Sequence, residues 1–179
     1  ALAQNRILRR NTHRAGIEMT LAHHDAACGN QGRCGKTEFI RTQQGTNDDI
    51  AARVVEAAAL GATEVTLQGG IHPDFDGNTY ISICRAVKQA VPSMHVHGFT
   101  ALEVTEGARR LGEPLPSYLS RLKEAGLSSL PGTAAEILDD KIRAVLCPDK
   151  INTAEWVHAI RSAHEQGLRT TSTIMYGHV

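Results

Sequence analysis

The sequence predicts an α/β protein in which parallel strands alternate with helices as a partial (β/α) barrel. Three observations carry this. Four short β-rich runs each break into a glycine turn or a polar cluster: Gln68-Gly69-Gly70-Ile71-His72-Pro73, Met94-His95-Val96-His97-Gly98-Phe99, Leu130-Pro131-Gly132-Thr133-Ala134-Ala135-Glu136 and Thr173-Ile174-Met175-Tyr176-Gly177-His178. Helical patterns separate them, and no hairpin signal joins any two. Parallel strands linked by helices bring their C-terminal ends to one mouth, and sites are built there.

Regular patterning begins at Asn47. A helix is expected from an Asn47/Asp48 cap, with Ile50, Val54, Val55 and Ala58 on one face and a stop at Gly61. Residues 63–67 read as a short buried strand by length and flanks. The next helix spans about 78–90, with Ile81, Cys84, Val87 and Lys88 at helical spacing and Pro92 behind it. Residues 94–99 form the second strand, followed by helical pieces over about 102–111 and 117–125 and a stop at Gly126. The third strand is 128–130, with a helix expected over 134–146. Asn152 caps the last helix, Glu155 reaching back as in a capping box, with Trp156, Ile160 and Ala163 inward and Gly167 as the stop. Residues 169–176 are the fourth strand, and the sheet is expected to be parallel throughout.

Residues 1–46 read differently. They are crowded with Arg, Asn, Gln, His and Gly, and neither a helical nor a strand period persists. They are expected to be an atypical segment, disordered or misread, ahead of a barrel domain at 47–179. The start at Ala1 and the stop at Val179, just after a site-like strand end, read as a fragment truncated at both ends.

Composition narrows the function classes. The 19 basic and 19 acidic residues balance, so neither a nucleic acid nor a membrane partner is implied. No window approaches the ~18 consecutive apolar residues of a transmembrane helix. Four irregularly spaced cysteines do not read as a disulfide framework, which favours a reduced, cytoplasmic setting.

Each constellation has two readings. Gly69-Gly70 after a strand lets a backbone approach a ligand closely, or is an ordinary βα turn. His95 and His97 alternate with Met94 and Val96 and so share one side of their strand. There they could bind a metal or substrate, or divide into one core and one solvated histidine; no carboxylate stands at zinc-site spacing. Glu136 is either a dipole partner at a helix N-terminus or a substrate contact. His178 is a site residue or a polar residue at the chain end. Cys28 and Cys34 fit neither zinc nor iron–sulfur loop spacing; Cys84 reads as helix core and Cys147 as a turn residue.

In order, the segments Gly61-Ala62-Thr63-Glu64-Val65, Gln68-Gly69-Gly70-Ile71-His72-Pro73, Met94-His95-Val96-His97, Ala163-His164 and Thr173-Ile174-Met175-Tyr176-Gly177-His178 are more specific than any one alone. The run from about Asp48 to Val179 resembles the radical S-adenosylmethionine (radical SAM) enzymes of deazaflavin and menaquinone synthesis. Leu130-Pro131-Gly132-Thr133-Ala134-Ala135-Glu136-Ile137-Leu138 and Cys147-Pro148-Asp149-Lys150-Ile151 look most like the tyrosine-using branch that serves deazaflavin synthesis. The runner-up is the aminofutalosine or cyclic dehypoxanthine futalosine synthase branch, and a non-catalytic remnant is a third reading.

The resemblance implies a radical SAM barrel holding a 4Fe-4S cluster and S-adenosylmethionine. It implies a 5′-deoxyadenosyl radical that takes hydrogen from L-tyrosine, after which the 4-hydroxybenzyl part joins 5-amino-6-(D-ribitylamino)uracil on the way to coenzyme F(420). The cofactor carries that chemistry while the protein positions groups and excludes water. By the family pattern, Gln68, Gly69 and Gly70 border the methionine end of S-adenosylmethionine. His97, Glu136 and His178 are the candidates for the substrate pocket. A second subunit or domain of the same synthase is the implied partner.

One departure stands out. The family places Cys-x-x-x-Cys-x-x-Cys ahead of the strand that begins near Thr63, and no such triplet occurs in this sequence. No metal ligands are therefore assigned, the polypeptide is expected not to assemble the cluster, and activity is expected to be lost. A reading-frame shift upstream of about residue 46 accounts for both the missing triplet and the unusual composition. With four strands rather than a full barrel, an exposed sheet edge and poor solubility are also expected.

Overall fold

A computed structural model describes residues 17–22, 38–42, 46–133 and 135–177. Four parallel strands, each preceded by one or two helices, form its body. Thr46 accepts a hydrogen bond from Asp49 N, and the Asp49 carboxylate accepts one from Thr46 N, a closed capping box that starts helix α1 (Asn47–Ala59). The cap is thus Thr46, one residue before the expected pair. Ile50, Val54 and Ala57 form its buried face. Strand β3 (Glu64–Gln68) follows, then α2 (Gly77–Ala90), capped by the Asp76 side chain on Thr79 N. Strand β4 (His95–Gly98) leads to α3 (Ala101–Leu111) and α4 (Leu115–Glu124). Strand β5 (Ser129–Leu130), α5 (Asp140–Leu146), α6 (Thr153–Glu165) and strand β6 (Arg169–Thr170) complete the order. Asn152 and Glu155 close the expected capping box on α6.

Strands β3, β4, β5 and β6 pair in parallel and in sequence order, with Glu64 opposite His95, His97 opposite Ser129, and Ser129 opposite Arg169. The sheet is not parallel throughout. Strand β1 (Ile17–Ala22) lies antiparallel to β3, and β2 (Glu38–Thr42) lies antiparallel to β1, giving the order β2-β1-β3-β4-β5-β6. Both added strands fall within 1–46; in β1 Ile17, Met19 and Leu21 alternate with Glu18 and Thr20, a strand period too short to persist through that segment. Backbone pairing needs no side-chain alternation, so composition hid them.

Two expected elements shrink. The helix expected over 134–146 begins only at Asp140, behind an Asp139 side chain that accepts from Lys141 N and Ile142 N. Upstream, Glu136 has φ 49° and bridges to Ile174, a conformation that no helix admits. The fourth strand ends at Thr170, and beyond it the chain runs close beside Gly132. Thr171 Oγ1 accepts from Gly132 N at 2.9 Å, and a Cβ on Gly132 would lie 1.8 Å from Thr171 O. Only glycine permits that approach.

The core lies on one face of the sheet. Val65, Leu67, Val96 and Leu130 are fully buried against Ile50, Val54, Ile83, Val104, Leu119 and Leu122. Each such side chain contributes about 1.5–3 kcal/mol by leaving water. Gly77 lets α2 close on its neighbours: a Cβ there would meet Leu111, Tyr118 and the Gly107 carbonyl at 2.6–2.8 Å. The opposite face of β3 and β4 carries Glu64, Thr66, Gln68, His95 and His97, all half-buried. Helices cover one side and leave a polar side, which is the arrangement of a barrel wall.

Candidate functional site

The turn after β3 is held from three directions. Gly69 is buried, and its N–H donates to Glu103 Oε1 at 2.6 Å. Glu103 Oε2 accepts from Thr100 N at 2.7 Å, so one carboxylate closes the α3 capping box and anchors the turn. Burial pushes the Glu103 carboxyl up, while the amides of Thr100, Gly69 and Gly70 oppose the rise. Tyr80 Oη donates to Gly70 O at 3.2 Å, and burial raises its phenol well above the usual range. Arg110 donates to the carbonyls of His72 and Pro73 at 2.8 and 3.2 Å and also to that of Phe75. His72, Phe75, Tyr80 and Phe99 form a run of ring contacts beneath the turn.

Gly70 itself is exposed, with φ 60° and nothing within 4 Å of where a Cβ would be. Its glycine is needed for the backbone angle, and the space beside it is open. Gln68 ends β3 on the polar face, one residue before this turn. A fixed, glycine-lined turn with free space beside it fits close approach by a ligand.

On β4, both histidines do face one side, and a residue from β5 joins them. Ser129 Oγ lies 2.8 Å from His95 Nε2 and 2.7 Å from His97 Nδ1. Glu64 Oε2 stands 3.6 Å from the same His95 nitrogen. Burial lowers the His97 pKa below the ordinary imidazole value, against a smaller upward pull from Glu64; His95 adds to the lowering. Neither histidine is a core residue, and neither is free.

Glu136 is no helix-dipole partner, since no helix begins there. Its carboxylate pairs with Lys150 Nζ at 3.0 Å, and its carbonyl accepts from Met175 N at 2.7 Å. Arg143 holds this loop from within by donating to the carbonyls of Ala135, Ile137 (3.0 Å) and Ile151 (2.5 Å). The structure thus places Gln68, Gly69 and Gly70 at the end of β3 and in the turn after it and His97 on the adjoining strand β4, while Glu136 sits in the loop after β5. His178, Cys28 and Cys34 lie outside the described residues. Cys84 is buried, its thiol pushed up by burial to about 12, and Cys147 is buried too.

Among the described residues, no group of three or more His, Cys, Asp or Glu is placed to hold a metal ion. The turn at Gly69-Gly70 leaves open space for a ligand to approach the backbone, and the described donor set does not fit an iron–sulfur cluster.

Residues 27–179 match the radical SAM superfamily. The chain belongs to the radical SAM superfamily. That match starts within the segment whose composition is atypical. Among its relatives, FO synthase of Streptomyces coelicolor is 53% identical over 132 residues, 74% of this chain and 15% of that protein. The 5-amino-6-(D-ribitylamino)uracil--L-tyrosine 4-hydroxyphenyl transferase of Archaeoglobus fulgidus is 50% identical over 132 residues, 74% of this chain and 38% of that protein. The corresponding transferase 1 of Methanosarcina mazei is 46% identical over 151 residues, 83% of this chain and 40% of that one. This radical SAM chain therefore spans less than half the length of these relatives. Membership implies a 4Fe-4S cluster and S-adenosylmethionine.

Sequence reasoning missed three residues of this site. Glu103 had a visible signal in Thr100-x-x-Glu103, which reads as a capping box. Ser129 was visible only as a polar residue in a short strand, and its histidine partners come from the neighbouring strand. Lys150 reaches Glu136 across a loop, and no spacing rule points to it.

Proposed function

We propose that this chain is the barrel portion of a radical SAM transferase of deazaflavin biosynthesis. The enzyme joins the 4-hydroxybenzyl group of L-tyrosine to 5-amino-6-(D-ribitylamino)uracil. The observation that carries this is identity of about half over three-quarters of the chain to proteins bearing that name. S-adenosylmethionine, when reduced, supplies radical chemistry; the residues of this chain bind and orient. Gln68, Gly69 and Gly70 are assigned to the methionine end of S-adenosylmethionine, which an open, anchored turn suits. His97 and Glu136, with His178, are assigned to the substrate pocket. A second synthase subunit or domain is the expected partner, and the setting is cytoplasmic. Among the described residues, no helix is long and apolar enough to cross a membrane.

The missing cysteine triplet supports a further part of this reading: residues 1–46 do not furnish a cluster site, and the polypeptide by itself does not turn over. The test is anaerobic reconstitution with iron and sulfide, followed by visible absorption and a 4-hydroxybenzyl transfer assay. No charge-transfer band and no product are expected. A band lost on mutating Cys28 and Cys34 would show that the N-terminal segment supplies ligands after all. Product from L-tyrosine and the aminouracil would overturn the inactivity.

A further inference from the structure

The polar face of the sheet contains a chain of four side chains whose hydrogen bonds are polarised by the charge at one end. Register sets Glu64 beside His95 and His97 beside Ser129. Ser129 Oγ is within hydrogen-bond distance of His95 Nε2 at 2.8 Å, while Glu64 Oε2 stands farther off at 3.6 Å and acts through its charge. A carboxylate beside a ring nitrogen favours the tautomer that carries its hydrogen there. His95 Nε2–H then donates to Ser129 Oγ. The hydroxyl has a single hydrogen of its own, and its other near partner is His97 Nδ1 at 2.7 Å. Ser129 donates there, Nδ1 accepts, and the hydrogen of the neutral His97 ring must sit on Nε2. Without Glu64, the reverse polarity would be equally satisfactory. The carboxylate breaks that symmetry.

We propose that Glu64, His95 and Ser129 are positioning residues that hold His97 as a neutral ring with its Nε2–H available to dock a carbonyl oxygen of the substrate. This rests on the assignment of His97 to the substrate pocket. A neutral donor suits a carbonyl; a carboxylate would instead draw a second proton onto the ring. Of the two proposed substrates, the uracil ring of the aminouracil carries carbonyls, so His97 is assigned to it rather than to the tyrosine carboxylate. Burial, which disfavours the imidazolium form, acts in the same direction.

The test is ring-nitrogen NMR on the full chain with labelled histidine, the His97 signals assigned by their loss in His97→Gln. The expected result is an unprotonated Nδ1 and a protonated Nε2 at neutral pH. Glu64→Gln keeps the shape but can donate to His95, so it is expected to convert His97 to a mixture of tautomers. Ser129→Ala is expected to do the same, with rescue by Ser129→Thr. A protonated Nδ1 in the unsubstituted chain, or a tautomer untouched by Glu64→Gln, would overturn the network.

Addition of 5-amino-6-(D-ribitylamino)uracil is then expected to shift the Nε2–H signal. Calorimetric binding of the aminouracil with no change at His97 would overturn the docking role while leaving the transferase reading in place. No binding at all would overturn both. If Ser129→Ala does not fold, Glu64→Gln still decides the network, because Glu64 is partly exposed at a strand end.

Discussion

Gly69 N and Glu103 Oε1 meet at 2.6 Å although 34 residues separate them. The contact joins the mouth of one βα unit to the first turn of the next helix. Glu103 is 2% exposed, so the amide of Gly69 has no water to turn to if the carboxylate goes. Replacing Glu103 by Ala strands the Gly69 and Thr100 donors and should cost about 2 kcal/mol or more. Glu103→Gln should be nearly as harmful, since its amide NH₂ faces a donor. Urea unfolding at low protein concentration checks this through the midpoint at constant slope. A change below about 0.5 kcal/mol, the size ordinary for a surface substitution, would disprove the anchor.

Gly132 permits the backbone at Thr171 and Ser172 to pass close beside it. A methyl there would lie 1.8 Å from Thr171 O and 2.5 Å from Ser172 Cα, both backbone atoms. Gly132→Ala should therefore lose about 3 kcal/mol or unfold the β5–β6 end. Hydrogen exchange locates the damage: the Thr171 amide, which donates to Leu130 O, should lose protection before the β3–β4 pairs do.

Acid should weaken the fold through His97. Its folded pKa is lowered from 6.5, so below that value the unfolded chain takes up the proton more readily than the native one. The stability present above pH 6.5 is thus lost as pH falls through the folded value. His97→Gln should flatten the dependence in that window. An equal slope in both proteins would assign the effect to another group.

Glu136 sits at φ 49°, where a side chain is strained. A β-branched residue is worst there, so Glu136→Val should be less stable than Glu136→Gly by about 1–2 kcal/mol. The Lys150 partner is partly exposed. Lys150→Ala should therefore cost less than about 1 kcal/mol of stability. Thermal melts of the three variants settle the order. Equal melting points for the Val and Gly variants would deny the strain.

The unpaired side of β6 and the exposed Ile174, Met175 and Tyr176 beyond it predict self-association of the isolated polypeptide. Size-exclusion chromatography across a concentration series reads this directly. A monodisperse monomer that melts cooperatively would contradict it.

The helices were legible because burial stamps a period on them: Ile81, Cys84 and Val87 line one face of α2 as their spacing requires. Strand β4 was legible for the same reason, since a buried residue alternates with a polar one, whereas β3 was legible by its length and flanks. The loop after β5 was not. Ala135, Ile137 and Leu138 carry the apolar character of a helix start, while the true cap, Asp139, lies further along and heads only a short helix. At the site, Gly69-Gly70 and the shared face of His95 and His97 follow from local order. The partners Glu103, Ser129 and Lys150 arrive from other elements, and no local pattern encodes a meeting across the sheet.

Strands β3 to β6 lie side by side in the order in which they occur in the chain. Each new strand pairs with the one made just before it, and never with one still to come. A ribosome could therefore release this part of the protein as a growing layer, every βα unit docking on a finished edge. Strand β3, by contrast, skips β2 and pairs with β1, whose other edge β2 already occupies. The N-terminal ribbon is thus the part of the sheet whose order in space departs from its order of synthesis.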